Sequence, residues 1–315
     1  MPILKPGSVN PRKKNIIILL YGVEGAFKTS TALTSDNAIL HDFNDGGSSR
    51  AVNISEKTRF IPEKGWPEFI HMLNNGDFDD YDVHIVDTVS DMLMRFLAQY
   101  LMLETPSLKS PTGGLTKDGY AALSARFQED FISKYDDKIL LFIAHDAITQ
   151  EGDLVKHGPS IPGAAGQYIL GNADQIGYVE KTDKGGVIIR FSNSNAWRSK
   201  DTAKVGDIEI PPHNAPEYPS FFQDRVINPL SEALNMTKKK KEIREASIKI
   251  WEPKITSAKT DVDLNKIREE AISANLDTVS LAEVRNLVRI KAEQLGLEFS
   301  KQENKFIKIK TKQNV

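Results

Sequence analysis

The sequence predicts an α/β protein in which a mostly parallel central sheet is flanked by helices and followed by a small, mainly helical C-terminal domain. Short apolar runs at residues 16–20, 83–86 and 139–144 have the form of parallel strands that are covered on both faces. The segments between these runs show the spacing of amphipathic helices. A glycine-rich loop directly follows the first run, which indicates that a ligand binds at the carboxyl end of the sheet.

The remaining elements follow from local patterns. Residues 38–43 are a further strand candidate that ends in a polar, glycine-rich segment, and residues 176–191 have the pattern of a β-hairpin. Helices are expected at residues 66–75, 89–100, 120–135, 221–235, 263–274 and 280–295. Residues 306–310 alternate as in a short strand, and two long loops are expected at residues 104–119 and 146–166.

These patterns divide the chain of 315 residues into four segments. We expect a basic, disordered arm at residues 1–15, the α/β core at 16–205, a proline-rich strap and helix at 206–236, and a basic, mainly helical domain at 237–315. From Lys238 onward there are 18 basic and 12 acidic residues, whereas the part before it has 23 basic and 31 acidic residues. A basic appendage on an acidic body fits binding of a partner or a nucleic acid, and a solvated helical face is the alternative.

The composition excludes several classes of site and of protein. The chain has no cysteine, so disulfides, thiolate metal sites and cysteine nucleophiles are excluded. Its six histidines lack the spacing of a zinc site. The N-terminal segment has no apolar stretch of signal-peptide length and no later run reaches membrane-spanning length, so we expect a soluble protein of the cytoplasm without a membrane partner.

The loop after the first predicted strand has the chemistry of a phosphate-binding loop. Its residues are Gly22, Val23, Glu24, Gly25, Ala26, Phe27, Lys28, Thr29 and Ser30. In the motif G-x-x-x-x-G-K-[ST], backbone N–H groups and a helix N-terminus cradle phosphates, a lysine reaches the outer phosphates, and a threonine hydroxyl holds Mg²⁺. Gly22, Lys28 and Thr29 match this pattern. Phe27 stands where a second glycine is usual, because the backbone passes close to the phosphates at that position.

Two polar residues at the ends of predicted strands are candidates for the same site. Asp87 follows an apolar run, as does the acid that holds Mg²⁺ beside the loop threonine in such sites, so we expect Thr29 and Asp87 to share the metal. Taken alone, Asp87 is as well explained as a helix cap. His145 ends the strand at 139–144 and would face the phosphates, with a hydrogen-bonded surface histidine as the alternative.

Further candidates concern hydrolysis, which needs a carboxylate that orients water and a cation that stabilises the transferred phosphate. Asp42, Asp45 and Glu24 are the carboxylate candidates, although Asp45 followed by a glycine is also typical of a turn. Arg198 and Lys200 follow the last predicted hairpin and are the cation candidates, with ordinary exposed basic residues as the alternative.

Together these residues resemble the RecA-like P-loop ATPases, and especially the small phage-encoded nucleotide-binding and recombination ATPases often labelled as an AAA domain. The resemblance covers about residues 16–200. Residues 22–29 are similar to the Walker A motif of that family, residues 85–88 to its Walker B motif, and residues 142–145 to the strand whose last polar residue senses the γ-phosphate. Residues 42–47 are similar to the segment that carries the catalytic carboxylate.

The resemblance implies an ATPase that uses ATP and Mg²⁺, binds single-stranded DNA as a homo-oligomer, and acts in phage DNA recombination or replication in the host-cell cytoplasm, where other phage proteins would be its partners. The residues that would carry catalysis are Lys28, Asp45, Asp87, His145, Arg198 and Lys200. Arg198 and Lys200 would act across a subunit boundary, and the loops at 104–119 and 146–166 would face the DNA.

This chain departs from the family pattern at two positions. Phe27 replaces a glycine of the loop, and Asn44 stands where the family places its catalytic carboxylate, with Asp45 next to it. We therefore expect slow hydrolysis. The alternative is a nucleotide-binding scaffold or loader with weak or no hydrolysis that acts through its C-terminal domain.

Overall fold

A mixed sheet of ten strands lies at the centre of the N-terminal part of the chain. The structure is a computed structural model and describes residues 15–44, 47–135, 138–152, 154–183, 185–274, 278–300 and 305–308. In chain order the strands are β1 (Ile16–Gly22), β2 (Ala38–Asp42), β3 (Thr58–Phe60), β4 (Val83–Asp87), β5 (Ile139–Glu151), β6 (Leu154–Pro159), β7 (Gln175–Lys181), β8 (Val187–Arg190), β9 (Lys200–Asp201) and β10 (Ile208–Ile210).

The order of the strands explains which chain ends come together. Across the sheet the order is β3-β2-β4-β5-β1-β7-β8-β10, with β6 paired to β5 and β9 paired to β7. The strands from β3 to β7 in this order run parallel, whereas β6, β8, β9 and β10 pair antiparallel. The predicted α/β class with a mostly parallel sheet is confirmed.

Helices cover both faces of this sheet. Over both units, the helices that the structure describes are α1 (Lys28–Ala32), α2 (Trp66–Asn75), α3 (Val89–Asp91), α4 (Ala98–Glu104), α5 (Lys117–Arg126), α6 (Gly163–Asn172), α7 (Asn228–Ser257), α8 (Asp261–Ser273) and α9 (Thr278–Gln294). A π-helical turn, Met92–Leu97, joins α3 to α4, and another, Gln223–Ile227, precedes α7.

The central strand β1 shows why the sheet needs helices on both sides. Ile17, Leu19 and Tyr21 enter one apolar core, together with side chains of α2, α4, α5 and α6. Ile18 and Leu20 enter a second core on the opposite face, because successive side chains of a strand point to opposite sides. A continuous apolar run is therefore the pattern that this strand requires.

The structure differs from the prediction at one of the two long loops and agrees with it at the other. In the segment 146–166, β5 continues to Glu151 and pairs with β6 in an antiparallel hairpin, and α6 begins at Gly163. The segment 104–119 is confirmed as a loop over residues 105–116, which connect α4 to α5 and contain a 3-10 turn, Pro106–Leu108. The prediction of a loop at 146–166 is wrong because the residues of the hairpin are partly exposed and polar, so they form no long apolar run.

The proline-rich strap packs against the sheet. Strand β10 adds to its edge, and Phe222 is buried in the second core, where its backbone N–H donates to Thr34 Oγ1 (2.8 Å). The last buried residue of this core is Leu230. The chain divides into two units between Leu234 and Asn235.

The C-terminal unit has its own apolar core. Its described elements are the end of α7, then α8, α9 and an antiparallel hairpin of β11 (Leu297–Ser300) and β12 (Lys305–Lys308). Trp251, Leu264, Val284, Val288 and Phe306 are among its buried residues. The predicted N-terminal arm lies outside the described residues, except for Asn15. Among the helices that the structure describes, none is long and apolar enough to cross a membrane.

Candidate functional site

The glycine-rich loop leaves the carboxyl end of β1 and leads into α1. A side chain at Gly22 would place its Cβ 2.0 Å from the carbonyl oxygen of Val179 in β7, so only glycine allows this close approach. The first N–H groups of a helix have no partner within the helix, so those at the start of α1 are directed into the loop. The loop therefore offers backbone donors to an anion.

Phe27 directly precedes α1 in a left-handed conformation, with φ 56° and ψ 22°. This conformation costs a residue with a side chain about 1–2 kcal/mol, whereas glycine adopts it freely. The Phe27 side chain is 47% exposed at the edge of the cavity beside the loop. The aromatic ring thus projects from the loop, and the backbone keeps the path that glycine would allow.

A cavity of about 580 Å³ lies beside the loop. Its walls are the loop residues 24–30, the turn at 47–51, and the ends of β4 and β5. The size is typical of a small-molecule site. Three of the predicted site residues, Lys28, Asp87 and His145, are brought together here although the sequence separates them widely.

Lys28 is buried and folds back onto its own loop. Its Nζ donates to the carbonyl oxygens of Gly22 (2.8 Å) and Val23 (2.7 Å). Burial lowers the pKa of Lys28, while the negative charges of Asp87 and Glu24 oppose that effect. The ammonium lies on the side of the loop where phosphates would bind. A bound nucleotide would replace its two contacts with carbonyl oxygens by contacts with phosphate oxygens.

Thr29 and Asp87 form the predicted pair. Thr29 Oγ1 donates to Asp87 Oδ2 (2.7 Å), and the Asp87 carboxyl is almost fully buried. Burial raises the pKa of Asp87 to about 6, with the hydrogen bond from Thr29 and the charge of Lys28 acting in the opposite direction. A charge at Asp87 is therefore costly unless a cation lies beside it.

The chemistry of this pair fits Mg²⁺, which prefers oxygen ligands such as hydroxyl and carboxylate groups. Within the part of the chain that the structure describes, no group of three or more histidine, aspartate or glutamate side chains could hold a metal by itself. A Mg²⁺ ion at Thr29 and Asp87 would thus take its other ligands from phosphate and water.

The turn after β2 closes one side of the cavity. Asp42 accepts hydrogen bonds from the Asn44 N–H (3.1 Å) and from the Ser48 hydroxyl, and the Arg59 guanidinium lies 3.8 Å from it. The Asp42 carboxylate therefore stabilises the turn. Arg50 also lines the cavity from this turn. It is not among the residues predicted from the sequence, because a 3-10 turn has no periodic sequence pattern.

Asp45, the predicted catalytic carboxylate, lies outside the described residues. Its neighbour Asn44 lines the cavity. Glu24 also lines the cavity, but its side chain is 89% exposed and its Oε1 lies 4.0 Å from Nδ1 of His145.

His145 pairs with Gly22 across β5 and β1, which places it next to the loop. Its Nδ1 is buried and has no hydrogen-bond partner among the described residues. A buried donor or acceptor without a partner is costly, so this atom is suited to a ligand in the cavity.

Arg198 and Lys200, the predicted cations, lie outside the cavity beside the loop. Lys200 Nζ donates to the carbonyl oxygen of Ala173 (2.6 Å), and Arg198 lines a second cavity of about 820 Å³. Neither residue lines the cavity beside the loop. Their role across a subunit boundary remains a prediction.

The second cavity lies between the β5–β6 hairpin and residues 193–199. His157 on β6 contacts Asp146 Oδ2 through Nδ1 (2.5 Å), and Tyr178 OH lies 3.1 Å from the same nitrogen. The His157 N–H donates to Ala196 O (2.7 Å), which ties the hairpin to the loop. On β5, His145 lines the first cavity and Ala147 and Thr149 line the second, so one strand contributes to both cavities.

Comparison with known families agrees with this geometry. A family model described as AAA domain matches residues 14–203, which include the loop, Asp87 and His145. Comparison with curated proteins gave no match. The family match confirms the predicted P-loop NTPase fold and indicates a nucleotide-binding ATPase. Since it spans more than half of the chain, this protein belongs to the AAA domain family.

Proposed function

We propose that this protein is a Mg²⁺-dependent, RecA-like ATPase of phage DNA recombination or replication that binds single-stranded DNA as a homo-oligomer. The observation that carries the ATPase part is the contact between Thr29 Oγ1 and Asp87 Oδ2 (2.7 Å) beside the buried Lys28. A hydroxyl and a carboxylate at this distance, next to a cation in a phosphate-binding loop, are the parts that phosphoryl transfer needs.

The residues of the chain have separate tasks in this proposal. The N–H groups of the loop and the Lys28 ammonium bind the phosphates, and Thr29 and Asp87 hold the metal. When bound, Mg²⁺ neutralises charge on the phosphate oxygens. His145 offers its Nδ1 to the outer phosphate or to the attacking water, and Asp45 is the candidate that orients this water.

Titration with labelled ATP and ADP tests the nucleotide site. We expect Mg²⁺-dependent binding by the wild type, strong loss of affinity in Lys28→Ala, and unchanged affinity in Lys134→Ala, because Lys134 is exposed and remote from the cavity lining. Asp87→Asn should retain binding and lose turnover, since the amide keeps the size of the side chain but not the charge. Wild-type protein that binds neither nucleotide would refute the proposal.

The second cavity is the candidate for DNA. Its lining includes Lys156, His157, Asn193 and Arg198, so it offers cations and amides to a phosphate backbone. Strand β5 continues from the nucleotide cavity into its hairpin wall, which supports coupling between DNA binding and turnover.

Salt-dependent binding of single-stranded DNA tests this assignment. Arg198→Ala should lower the affinity and reduce the slope of log K against log salt by about 0.7 for each phosphate that the variant no longer neutralises. Lys134→Ala is the matched control. DNA should also stimulate ATP turnover by the wild type. If DNA neither binds nor stimulates, the DNA part of the proposal is wrong while the ATPase part stands.

The mass of the protein in solution tests whether it forms a homo-oligomer. We expect sedimentation to show assembly that grows with ATP and Mg²⁺, and weaker assembly or turnover in Arg198→Ala and Lys200→Ala. A protein that stays monomeric in all of these conditions would remove the role across a subunit boundary.

The left-handed Phe27 favours a second candidate, a scaffold that binds nucleotide with little hydrolysis and acts through its C-terminal domain. Phe27→Gly removes both the ring and the backbone strain, whereas Phe27→Ala removes the ring alone. We expect the glycine variant to turn over ATP faster than the wild type and than the alanine variant. Multiple turnover by the wild type at the rate of Phe27→Gly would reject the scaffold.

A further inference from the structure

A separate cavity of about 260 Å³ lies within the C-terminal unit. Helices α8 and α9 and the β11–β12 hairpin enclose it. Ala271, Val284, Val288 and Phe306 form its buried apolar floor. The cavity lies outside the residues that match the AAA domain.

Three arginines stand around this floor. Arg268 comes from α8, and Arg285 and Arg289 lie one turn apart on α9. Arg289 Nη1 lies 3.3 Å from Glu293 Oε1, and both Arg285 and Arg289 are exposed. Guanidinium groups bind carboxylates through paired hydrogen bonds, so this rim is complementary to an acidic ligand.

The aromatic side of the cavity is fixed by neighbouring contacts. The Phe299 and Phe306 rings meet edge to face with centroids 5.2 Å apart and planes at 68°. The Arg268 guanidinium lies 5.0 Å from the Phe299 ring centroid. Asn265 holds the hairpin to α8, because its Nδ2 donates to Phe306 O (2.9 Å) and its Oδ1 accepts from Phe306 N (2.8 Å). These contacts hold the walls of the cavity in position in the protein without ligand.

We propose that this cavity binds an acidic peptide segment of a partner protein that inserts one aromatic or large aliphatic side chain. The volume is below the range of about 300–1,000 Å³ that drug-sized ligands occupy, so it suits a single side chain. An apolar anchor in a pocket ringed by arginines is the arrangement of a protein interface hot spot. The carboxylates beside the anchor pair with Arg268, Arg285 and Arg289.

A nucleic acid fits the cavity less well. Single-stranded binding relies on open aromatic faces for base stacking. Here Arg268 lies over the Phe299 ring and Phe306 meets it edge to face, so a base would have to displace one of them. The concave apolar floor also gives phosphates no contact. The observations therefore favour a peptide.

The test uses the full chain and a fluorescent synthetic peptide of aspartates with one phenylalanine. We expect saturable binding by the wild type, and loss of binding when the phenylalanine of the peptide is replaced by serine or its aspartates by asparagines. Arg285→Glu should weaken binding by about tenfold or more, because a charge reversal replaces an attraction by a repulsion. Lys266→Glu, an exposed charge reversal on α8 outside the cavity lining, is the matched control.

Thermal unfolding and ATP turnover of a further variant accompany the binding measurement. Phe299→Ser removes one aromatic wall of the cavity together with its contact to Phe306, so it should weaken peptide binding and lower the temperature of thermal unfolding, while ATP turnover stays as in the wild type. A wild type that does not bind the peptide would overturn the inference. Equal binding of the serine peptide would do the same, as would binding of single-stranded DNA alone that Arg285→Glu abolishes. None of these results bears on the nucleotide site.

Discussion

Two histidines buried on neighbouring strands form a neutral pair beneath the candidate site. His84 Nε2 lies 3.2 Å from Tyr81 O and His41 Nε2 lies 3.1 Å from His84 Nδ1. Because a carbonyl only accepts, His84 carries its proton on Nε2 and accepts at Nδ1 from the N–H of His41. Burial lowers the pKa of His84 to about 4 and holds that of His41 well below its usual value.

This pair predicts a loss of stability in acid. The pKa of His84 falls from 6.5 in the unfolded chain to about 4 in the fold, so the unfolded state binds more protons between these values. The contribution of His84 to stability is thus full above about pH 6.5 and decreases by about 3 kcal/mol as the pH falls to about 4, whereas the raised pKa of Asp87 contributes in the opposite direction. Urea unfolding at a series of pH values measures this slope.

His84→Gln is the diagnostic variant, since the amide can donate and accept but does not titrate. It should reduce the slope between pH 7 and about pH 4, whereas His71→Gln, at an exposed position, should leave it unchanged. An unchanged slope in His84→Gln would show that other groups cause the acid sensitivity.

At the scale of elements, a single hydroxyl connects the phosphate-loop strand to the second cavity. The Tyr21 hydroxyl on β1 accepts from the Arg198 N–H (2.8 Å) and lies 2.8 and 3.2 Å from the carbonyl oxygens of Arg198 and His157. The ring itself is fully buried. Strand β1 therefore supports both β6 and the segment that carries Arg198.

Removing this hydroxyl should loosen the second cavity. We expect Tyr21→Phe to lower the free energy of unfolding by about 1–3 kcal/mol, because it leaves buried backbone groups without their partner. Single-stranded DNA binding should weaken more than nucleotide binding. Chemical unfolding and the salt titration measure the two effects, with the partly exposed Tyr120→Phe as control. A variant as stable as the wild type would show that water replaces the hydroxyl.

The elements differ in how well the sequence predicts them. The strands β1, β4 and the first half of β5 could be predicted because each is buried on both faces and thus mostly apolar. The hairpin of β5 and β6 could not, because its residues are partly exposed and polar. At the site, Lys28, Thr29 and Asp87 follow from a motif and a strand end. Arg50 depends on a turn whose geometry is set by Asp42 and Ser48, which local sequence does not reveal.

At the scale of the whole molecule, the chain has separate cores on either side of residue 234. The second core of the sheet ends with Leu230 and the partly buried Leu234, whereas Trp251 is the first buried residue that the structure describes in the core of the C-terminal unit. The cavity beside the phosphate-binding loop lies within the N-terminal unit, and the cavity formed by α8, α9 and the β11–β12 hairpin lies within the C-terminal unit. Each unit therefore contains its own apolar core and its own candidate binding site.

A chain that ends after Leu234 tests this division. We expect it to fold, to show a thermal transition that Mg²⁺-ADP raises, and to bind ADP within about twofold of the full chain, because a ligand stabilises the state that binds it. Peptide binding should be lost. Calorimetry and the labelled-ADP titration measure both properties. Aggregation of the shortened chain would show that the sheet depends on the C-terminal unit.

The position of Lys28 links nucleotide affinity to proton concentration. Its ammonium is already out of water, and burial lowers its pKa. A polyphosphate places more negative charge beside the ammonium than the carbonyls of Gly22 and Val23 do, so its pKa should rise on binding. In alkaline solution the protein would then take up a proton together with ATP, and its affinity would fall as the pH rises through the titration of the free lysine.

Calorimetry in two buffers of different ionisation enthalpy detects this proton directly. Lys28→Arg should bind without the buffer-dependent heat, because a guanidinium keeps its proton throughout this range. Equal heats for the wild type in both buffers would show that the lysine is protonated before and after binding. The burial of one ammonium group thus predicts that nucleotide binding to this loop is coupled to proton uptake.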